Sequence, residues 1–355
     1  MGASLRRDAV VTLGADAAVP RRPRLVVAMV LGLVAGDFAR DAAARTGVPP
    51  DLLQFWYAAR VLLQGGDPYA VIGPGLAFDY PYPLVYPLHA AVAFLPLATL
   101  PAAWAHAVVM GLGVFAFSWA LMEHGSAPLV ALLSVCVWHA VGVGQWSPLL
   151  AASIVVPPLA FLLAVKPTIG LALWVARPSW WAVVGAAVLT AAAFALDPQW
   201  VGQWRDAVDR AVAQARHTFP YRAPVVMPGG VLILAALARW RRMDARLLVA
   251  LACVPHTTLP YEMVPLFLIP RGWVQCVSLV AASMAMWWLV SLSLPHPDFY
   301  ATVLDYTRTA VPLMYLPCTL MVLRRANEGP LPVWLERRLA TAPAWLRGRS
   351  AGQSA

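Results

Sequence analysis

Charge is scarce in this chain. Asp, Glu, Lys and Arg make up 12% of its 355 residues, against about 25% in a soluble globular domain. Most of the length therefore cannot be a surface facing water. Cysteine is scarce too. Cys136, Cys253, Cys276 and Cys318 all lie in apolar segments, without the close spacing of a zinc site or a redox pair, and read as small packing residues. The sequence holds no nucleotide-binding loop, no metal-ligating motif and no nucleophile elbow. It shows no internal repeat and no low-complexity domain. The net charge of +9 comes from basic clusters set between apolar segments, with no basic stripe interleaved with aromatics. That pattern speaks for membrane topology and against nucleic acid as a partner.

What is present is apolar sequence, recurring from residue 25 to residue 323 in stretches that approach the roughly 20 residues a helix needs to cross a bilayer. The expected fold is all-α: a polytopic membrane protein of about ten spans, with amphipathic surface helices in its external loops. Arg21, Arg22 and Arg24 precede an apolar run over residues 25–36 that has the look of a signal peptide but reads better as an uncleaved first helix over about 22–38. The net-acidic loop 37–87 follows this basic start, so the positive-inside rule puts residues 1–24 in the cytoplasm and the loop outside. Within that loop Leu52, Trp56, Ala59 and Leu63 recur at helical spacing, as on a helix lying at the membrane surface. Further spans are expected near 84–99, 102–121, 127–142, 147–165, 180–196, 225–238, 246–255, 259–270, 273–294 and 300–323. Parity requires a half-helix at the Gly144-Gln145 break or at residues 166–177. An amphipathic helix over 200–218, striped by Trp200, Trp204, Val208 and Val212, lies in a second external loop, 197–224. The basic clusters at Arg239, Arg241, Arg242 and Arg246, at Arg324 and Arg325, and in the tail 326–355 (Arg337, Arg338, Arg347, Arg349) mark the cytoplasmic side.

Chemistry in such a chain falls to polar residues in places where a membrane protein rarely keeps them. Asp51 opens an external helix among Phe55, Trp56, Tyr57 and Tyr69, and could serve as a general base on a hydroxyl, or simply as a helix N-cap after two prolines. Asp37 and Asp41 compete with it at the end of the first span. Lys166, beside Pro167 at the end of an apolar run, could hold a phosphate or snorkel to the interface. Gln145 is a buried hydrogen-bonding residue or a loop residue. His256, Tyr261 and Glu262 gather an imidazole, a phenol and a carboxylate at one membrane face, or form a polar turn. Tyr80, Tyr82 and Tyr86 could stack on a sugar or lipid, or belong to an interfacial aromatic belt.

These pieces, in this order, resemble the polyprenol-phosphate-mannose-dependent mannosyltransferase family of bacteria, in the GT-C superfamily of membrane glycosyltransferases. The resemblance rests on DLLQFWYAAR over residues 51–60 with Gly66, Asp67, Pro68 and Tyr69. It continues in YPYPL over residues 80–84 with FLPL over residues 94–97, then Gly144-Gln145 leading to Lys166-Pro167-Thr168, then Pro255-His256 with Tyr261-Glu262 and Pro265. Together these cover residues 25–325. The chain departs from the family in a shorter stretch between Gln145 and Lys166, in Trp146 and Ser147 after the Gly-Gln pair, and in Glu262 where Asp is commoner. The resemblance implies an outward-facing site and an inverting transfer of a sugar, mannose before arabinose, from a polyprenyl phosphate to a hydroxyl of a lipid or glycan. No nucleotide or obligatory metal cofactor is implied. It puts the catalytic aspartate at Asp51 and substrate contacts at Arg60, Tyr69, Tyr82, Gln145, Lys166, His256, Tyr261 and Glu262, with Lys166 and His256 near the donor phosphate. The implied setting is the inner (plasma) membrane and the cell envelope, with membrane lipids as partners. A transporter or flippase for a lipid-linked or small polar solute is the alternative that broken helices with polar breaks allow.

Overall fold

The computed structural model describes residues 18–45, 49–214, 222–293 and 299–329. The segment 215–218 of the expected second surface helix and nearly all of the tail 326–355 lie outside them. Helix accounts for 76% and strand for 2%, which bears out the all-α class.

Helix α1 (Arg21–Arg45) runs antiparallel to α5 (Ala102–Leu121). It does not stop at Asp37 as the sequence suggested. It continues through Arg40, which pairs with Asp37 at 2.7 Å and Asp41 at 3.6 Å and so offsets their charge within the helix. The α1–α5 contact is made by small residues, Gly32 and Gly36 against Ala107 and Gly111. A Cβ on Gly32 would stand 2.8 Å from the Gly111 carbonyl and 2.9 Å from Phe115 Cβ. Backbones approach this closely only without side chains between them, the usual device for packing helices where lipid supplies no hydrophobic drive.

Between these two helices lie α2 (Leu52–Leu63), the single turn α3 (Pro68–Val71), a two-residue strand pair and α4 (His89–Phe94). Helix α2 does not lie on the surface. Leu52, Phe55, Ala59 and Leu62 are buried in the main core, whereas Leu63 is exposed. The expected span 84–99 is only α4 and a 3-10 turn, because Pro87 and Pro96 deny it backbone donors and leave no run long enough to cross.

After α5 the chain folds back and forth in short pieces. A 3-10 segment, Ala127–Leu133, leads into α6 (Val135–Val143), then α7 (Ser147–Ala151). A second 3-10 segment, Pro157–Val165, and α8 (Pro167–Ala176) form a hairpin with Lys166 at its tip. Helix α9 (Trp180–Leu196) and the amphipathic α10 (Trp200–Gln214) meet at 95°. The 3-10 segment Gly230–Arg239, α11 (Met243–Cys253), the 3-10 segment Pro260–Leu268 and α12 (Gly272–Leu292) follow. Helix α13 (Phe299–Ala310) then joins α14 (Leu316–Leu323) through one π turn.

Among the described residues, two helices, Ala102–His124 and Gly272–Leu292, are long and apolar enough to cross a membrane, or three if the bent pair α9–α10 counts as one. The ten-span expectation is not met at that level, since proline and 3-10 geometry divide most of the apolar stretches. Apolar sequence is nevertheless turned outward. The apolar window of α12 is only 28% buried, against 72% for α5, and Val274, Trp287, Trp288 and Leu292 project from α12. Together with exposed Leu33, Val34 and Val30 on α1, they form apolar faces of the kind that contact lipid.

Arg24, Arg177, Arg239, Arg246 and Arg271 gather at one end of the bundle and close helix C-termini there, where backbone carbonyls lack partners. Arg24 Nε donates to the Trp119 carbonyl at 2.8 Å, Arg246 Nη2 to Ala176 at 2.9 Å, Arg271 Nη1 to Leu268 at 2.9 Å, Arg239 Nη2 to Leu323 at 3.2 Å, and Arg177 to Ile154. Arg24 also pairs with Glu123, and Arg242 and Arg325 pair with buried Asp244.

Gly32→Val should cost about 1–3 kcal/mol through overpacking and lower the thermal midpoint of the detergent-solubilised protein. Val30→Ala, on the outward face, should leave it nearly unchanged. Equal midpoints for wild type and Gly32→Val would mean that α1 does not seat on α5 through its glycines.

Candidate functional site

At the end away from the arginines, four polar side chains from four separate segments meet. Asp51 sits at the start of α2, its backbone N–H bonded to the Val143 carbonyl at 2.7 Å, which ties α2 to the end of α6. Its side chain does not cap the helix. The carboxylate instead accepts one hydrogen bond from the Tyr80 hydroxyl and one from Gln145 Nε2. Gln145 follows Gly144, which ends α6 in the left-handed region at φ 74°. A Cβ at Gly144 would come within 2.8 Å of Leu52 Cβ and 3.0 Å of His106 Nε2, so glycine is needed both for the turn and for the approach of α2.

Gln145 Oε1 accepts from Lys166 Nζ at 2.7 Å, and Lys166 Nζ lies 3.0 Å from Glu262 Oε1. The ammonium also stands 4.7 Å from the centre of the Tyr261 ring. Lys166 and Glu262 are each 3% exposed. The snorkelling reading of Lys166 and the polar-turn reading of Glu262 are both overturned, because the two charges are buried against each other. Glu262 Oε2 has no hydrogen-bond partner among the described residues, an unusual state for a buried oxygen and one that leaves it able to accept from an incoming group.

Asp51, Lys166 and Glu262 border a cavity of about 780 Å³, within the range of small-molecule sites, whereas Gln145 is buried behind them and does not line it. Asp51, Tyr82, Lys166, Tyr261 and Glu262 are among its walls, with Tyr80, Tyr86, His139, Trp204 and Tyr306. Burial pushes the Asp51 carboxyl above the usual carboxylate range, and the hydrogen bonds and Lys166 only partly offset this. The Tyr80 phenol is driven well up by burial and by Asp51, so it remains a donor.

Three of the expected contacts lie elsewhere. Arg60 is exposed, its guanidinium 4.9 Å from the centre of the Trp56 ring. Tyr69 is buried behind the cavity and donates to the Tyr86 carbonyl at 3.0 Å, bracing a wall residue. His256 is 1% exposed and does not line the cavity. Its Nδ1 accepts from the Thr258 N–H at 3.1 Å, and its Nε2 lies 3.0 Å from the Tyr315 hydroxyl. The ring is held on both nitrogens away from the cavity, so the expectation of His256 beside the donor phosphate does not fit. Asp37 and Asp41 are likewise absent from the cavity. No group of three or more His, Cys, Asp or Glu side chains among the described residues is arranged to hold a metal ion.

Sequence reasoning missed the clasp of Tyr80 on Asp51 and the contributions of His139 and Tyr306. The Tyr-Pro run was legible as a platform, but nothing local signals a bond across 29 residues. Comparison with known proteins finds no matching family model, no matching curated protein and no matching solved structure.

Lys166→Met should destabilise the protein by about 3–5 kcal/mol, because it strands the buried Glu262 carboxylate. Adding Glu262→Gln should recover much of that loss. Unfolding midpoints of both single variants and the double variant test this, and additive losses would mean that the two residues act independently.

Proposed function

We propose that this chain is a membrane glycosyltransferase that moves a sugar, mannose first among the candidates, from a polyprenyl phosphate to a hydroxyl of a lipid or glycan acceptor, with inversion. The observation that carries the reading is Asp51: a half-buried carboxylate on a large cavity, held by two neutral donors rather than by a cation in direct contact, and spent on no helix cap. A carboxylate in that setting keeps its basicity and can take a proton from a hydroxyl. The acceptor oxygen then bonds to the anomeric carbon as the bond from that carbon to the phosphate oxygen breaks. The phosphate leaves with the electron pair.

Lys166 is committed to Glu262 and Gln145, so its part in this scheme is to fix Gln145 and, through it, Asp51. Counter-charge for the leaving phosphate comes from Arg222, an exposed side chain whose backbone pairs with His256 between the wall residues Pro255 and Thr257. The Tyr82 and Trp204 rings suit the faces of a sugar or the first part of a prenyl chain. The arginine-rich end faces the cytoplasm by the positive-inside rule, and the cavity opens outward in the inner (plasma) membrane. About ten passes make up the bundle, several of them short segments paired in depth.

Labelled polyprenyl-phosphate-mannose in reconstituted membranes tests the reading. Wild type should transfer the sugar, and Asp51→Asn should lower the rate about 10²–10⁴-fold with the protein still folded. Because Asp51 must be ionised to act, the wild-type rate should rise with pH through an apparent pKa above the ordinary carboxylate value. Transfer that survives in Asp51→Asn would move the base to Glu262. A wild type that transfers no sugar from any lipid phosphate, yet moves a solute or lipid across the bilayer, would replace the enzyme with a transporter.

A further inference from the structure

A second cavity, of about 670 Å³, lies at the opposite end of the bundle, where nothing in the proposed reaction uses it. Four of its wall residues are arginines: Arg21, Arg24, Arg177 and Arg271. Against them stands one carboxylate, Glu123, already engaged by Arg24 Nη1 at 2.6 Å. Arg24 is 5% exposed and held in place by the Trp119 carbonyl and ring, yet its Nη2 has no hydrogen-bond partner among the described residues. A buried guanidinium with an idle donor is costly unless a ligand completes it. Arg271 is pushed down to about 10, first by burial and then by the neighbouring Arg325, with Asp244 offsetting part of this. The start of α1 also lies on this wall at Pro20 and Arg21, adding the positive end of a 25-residue helix. His124 also stands on the wall, and the remainder is largely apolar, including Trp119, Leu121, Ile154, Val155 and Phe267.

We propose that this pocket binds a phosphate group, with the arginines on the phosphate oxygens. Guanidinium groups match phosphate geometry in two-point contacts. The apolar walls and the position among helix ends suit a phosphate ester at the head of an anionic phospholipid. A soluble phosphate shares the recognising chemistry and is the other source. The site is separate from the Asp51 cavity, and it stands or falls independently of the transfer reaction.

The test uses the full chain, purified and stripped of lipid in a neutral detergent, with native mass spectrometry reading bound lipid. Phosphatidylglycerol should be retained about thirtyfold over phosphatidylcholine, and the double variant Arg21→Gln/Arg177→Gln should lose about that preference, given roughly 1 kcal/mol per arginine near an anionic headgroup. Both arginines are exposed, so this variant should fold. Arg24→Gln, compared for melting behaviour, reports on the buried donor. Phosphatidylglycerol that resists competition by inorganic phosphate identifies the lipid as the source. Displacement by inorganic phosphate, with a matching rise in the wild-type melting temperature that the double variant lacks, identifies the soluble ion. Equal retention of the two lipids with no effect of inorganic phosphate, or a phosphatidylglycerol preference unchanged in the double variant, overturns the proposal.

Discussion

The contact between Lys166 and Glu262 is the constraint around which the cavity end of this molecule is arranged. Removing two charges from water costs several kcal/mol each, and their attraction in the interior returns that cost only when geometry and further hydrogen bonds are good. Such a pair adds little net stability. What it supplies is position: the tip of the Pro157–Val165/α8 hairpin is tied to the start of the Pro260–Leu268 segment. The remaining capacity of Lys166 then orients Gln145, and Gln145 orients Asp51. A carboxylate, an amide, an ammonium and a second carboxylate thus form one line of contacts through four segments, alongside the Asp51 N–H bond to the Val143 carbonyl.

The two ends of the bundle treat charge in opposite ways. At the arginine end, guanidinium groups are spent on backbone carbonyls at helix C-termini, which lets many short helices stop at one level without leaving acceptors bare. At the other end, Lys166 and Glu262 turn their charge to side chains around a cavity, while Arg210 donates to the Tyr69 carbonyl behind its wall. This division explains how a chain with so little charge can still keep polar chemistry inside it. It also explains why helices too short to cross a bilayer can be tolerated, since their ends are closed by protein groups rather than by water.

The all-α class was legible because apolar composition and scarce charge leave few other folds for a chain of this length. Asp51, Gln145, Lys166 and Glu262 were each legible singly, as polar residues at breaks in apolar sequence. Their mutual contact was not, because it depends on depth, and depth depends on helix type. Apolar runs read alike whether they form α-helix or 3-10 helix, yet a 3-10 helix rises about 2.0 Å per residue against 1.5 Å. The difference sets how far Lys166 reaches along the bundle. Arg60 and Tyr69 were expected as site residues from the motifs that carry the family resemblance, but Arg60 is exposed and Tyr69 lies behind the wall. His256 was found as a polar residue between spans, while its fixed tautomer is set by the left-handed turn at Thr258, φ 53°, which sequence does not announce.

The hairpin that carries Lys166 also has a consequence for biosynthesis. Glu262 lies about a hundred residues further along the chain. At about 5–20 residues per second, the ribosome needs several seconds or more to supply it after Lys166 has been made. For that interval the ammonium has no carboxylate to meet, and a charge in hydrocarbon without a partner is expensive. The first half of the protein must therefore hold the hairpin short of its final depth, near headgroups or inside the insertion machinery, until the second half arrives. Assembly of this membrane domain is then a late, concerted event rather than a helix-by-helix stacking, and the buried ion pair acts as its timing mark.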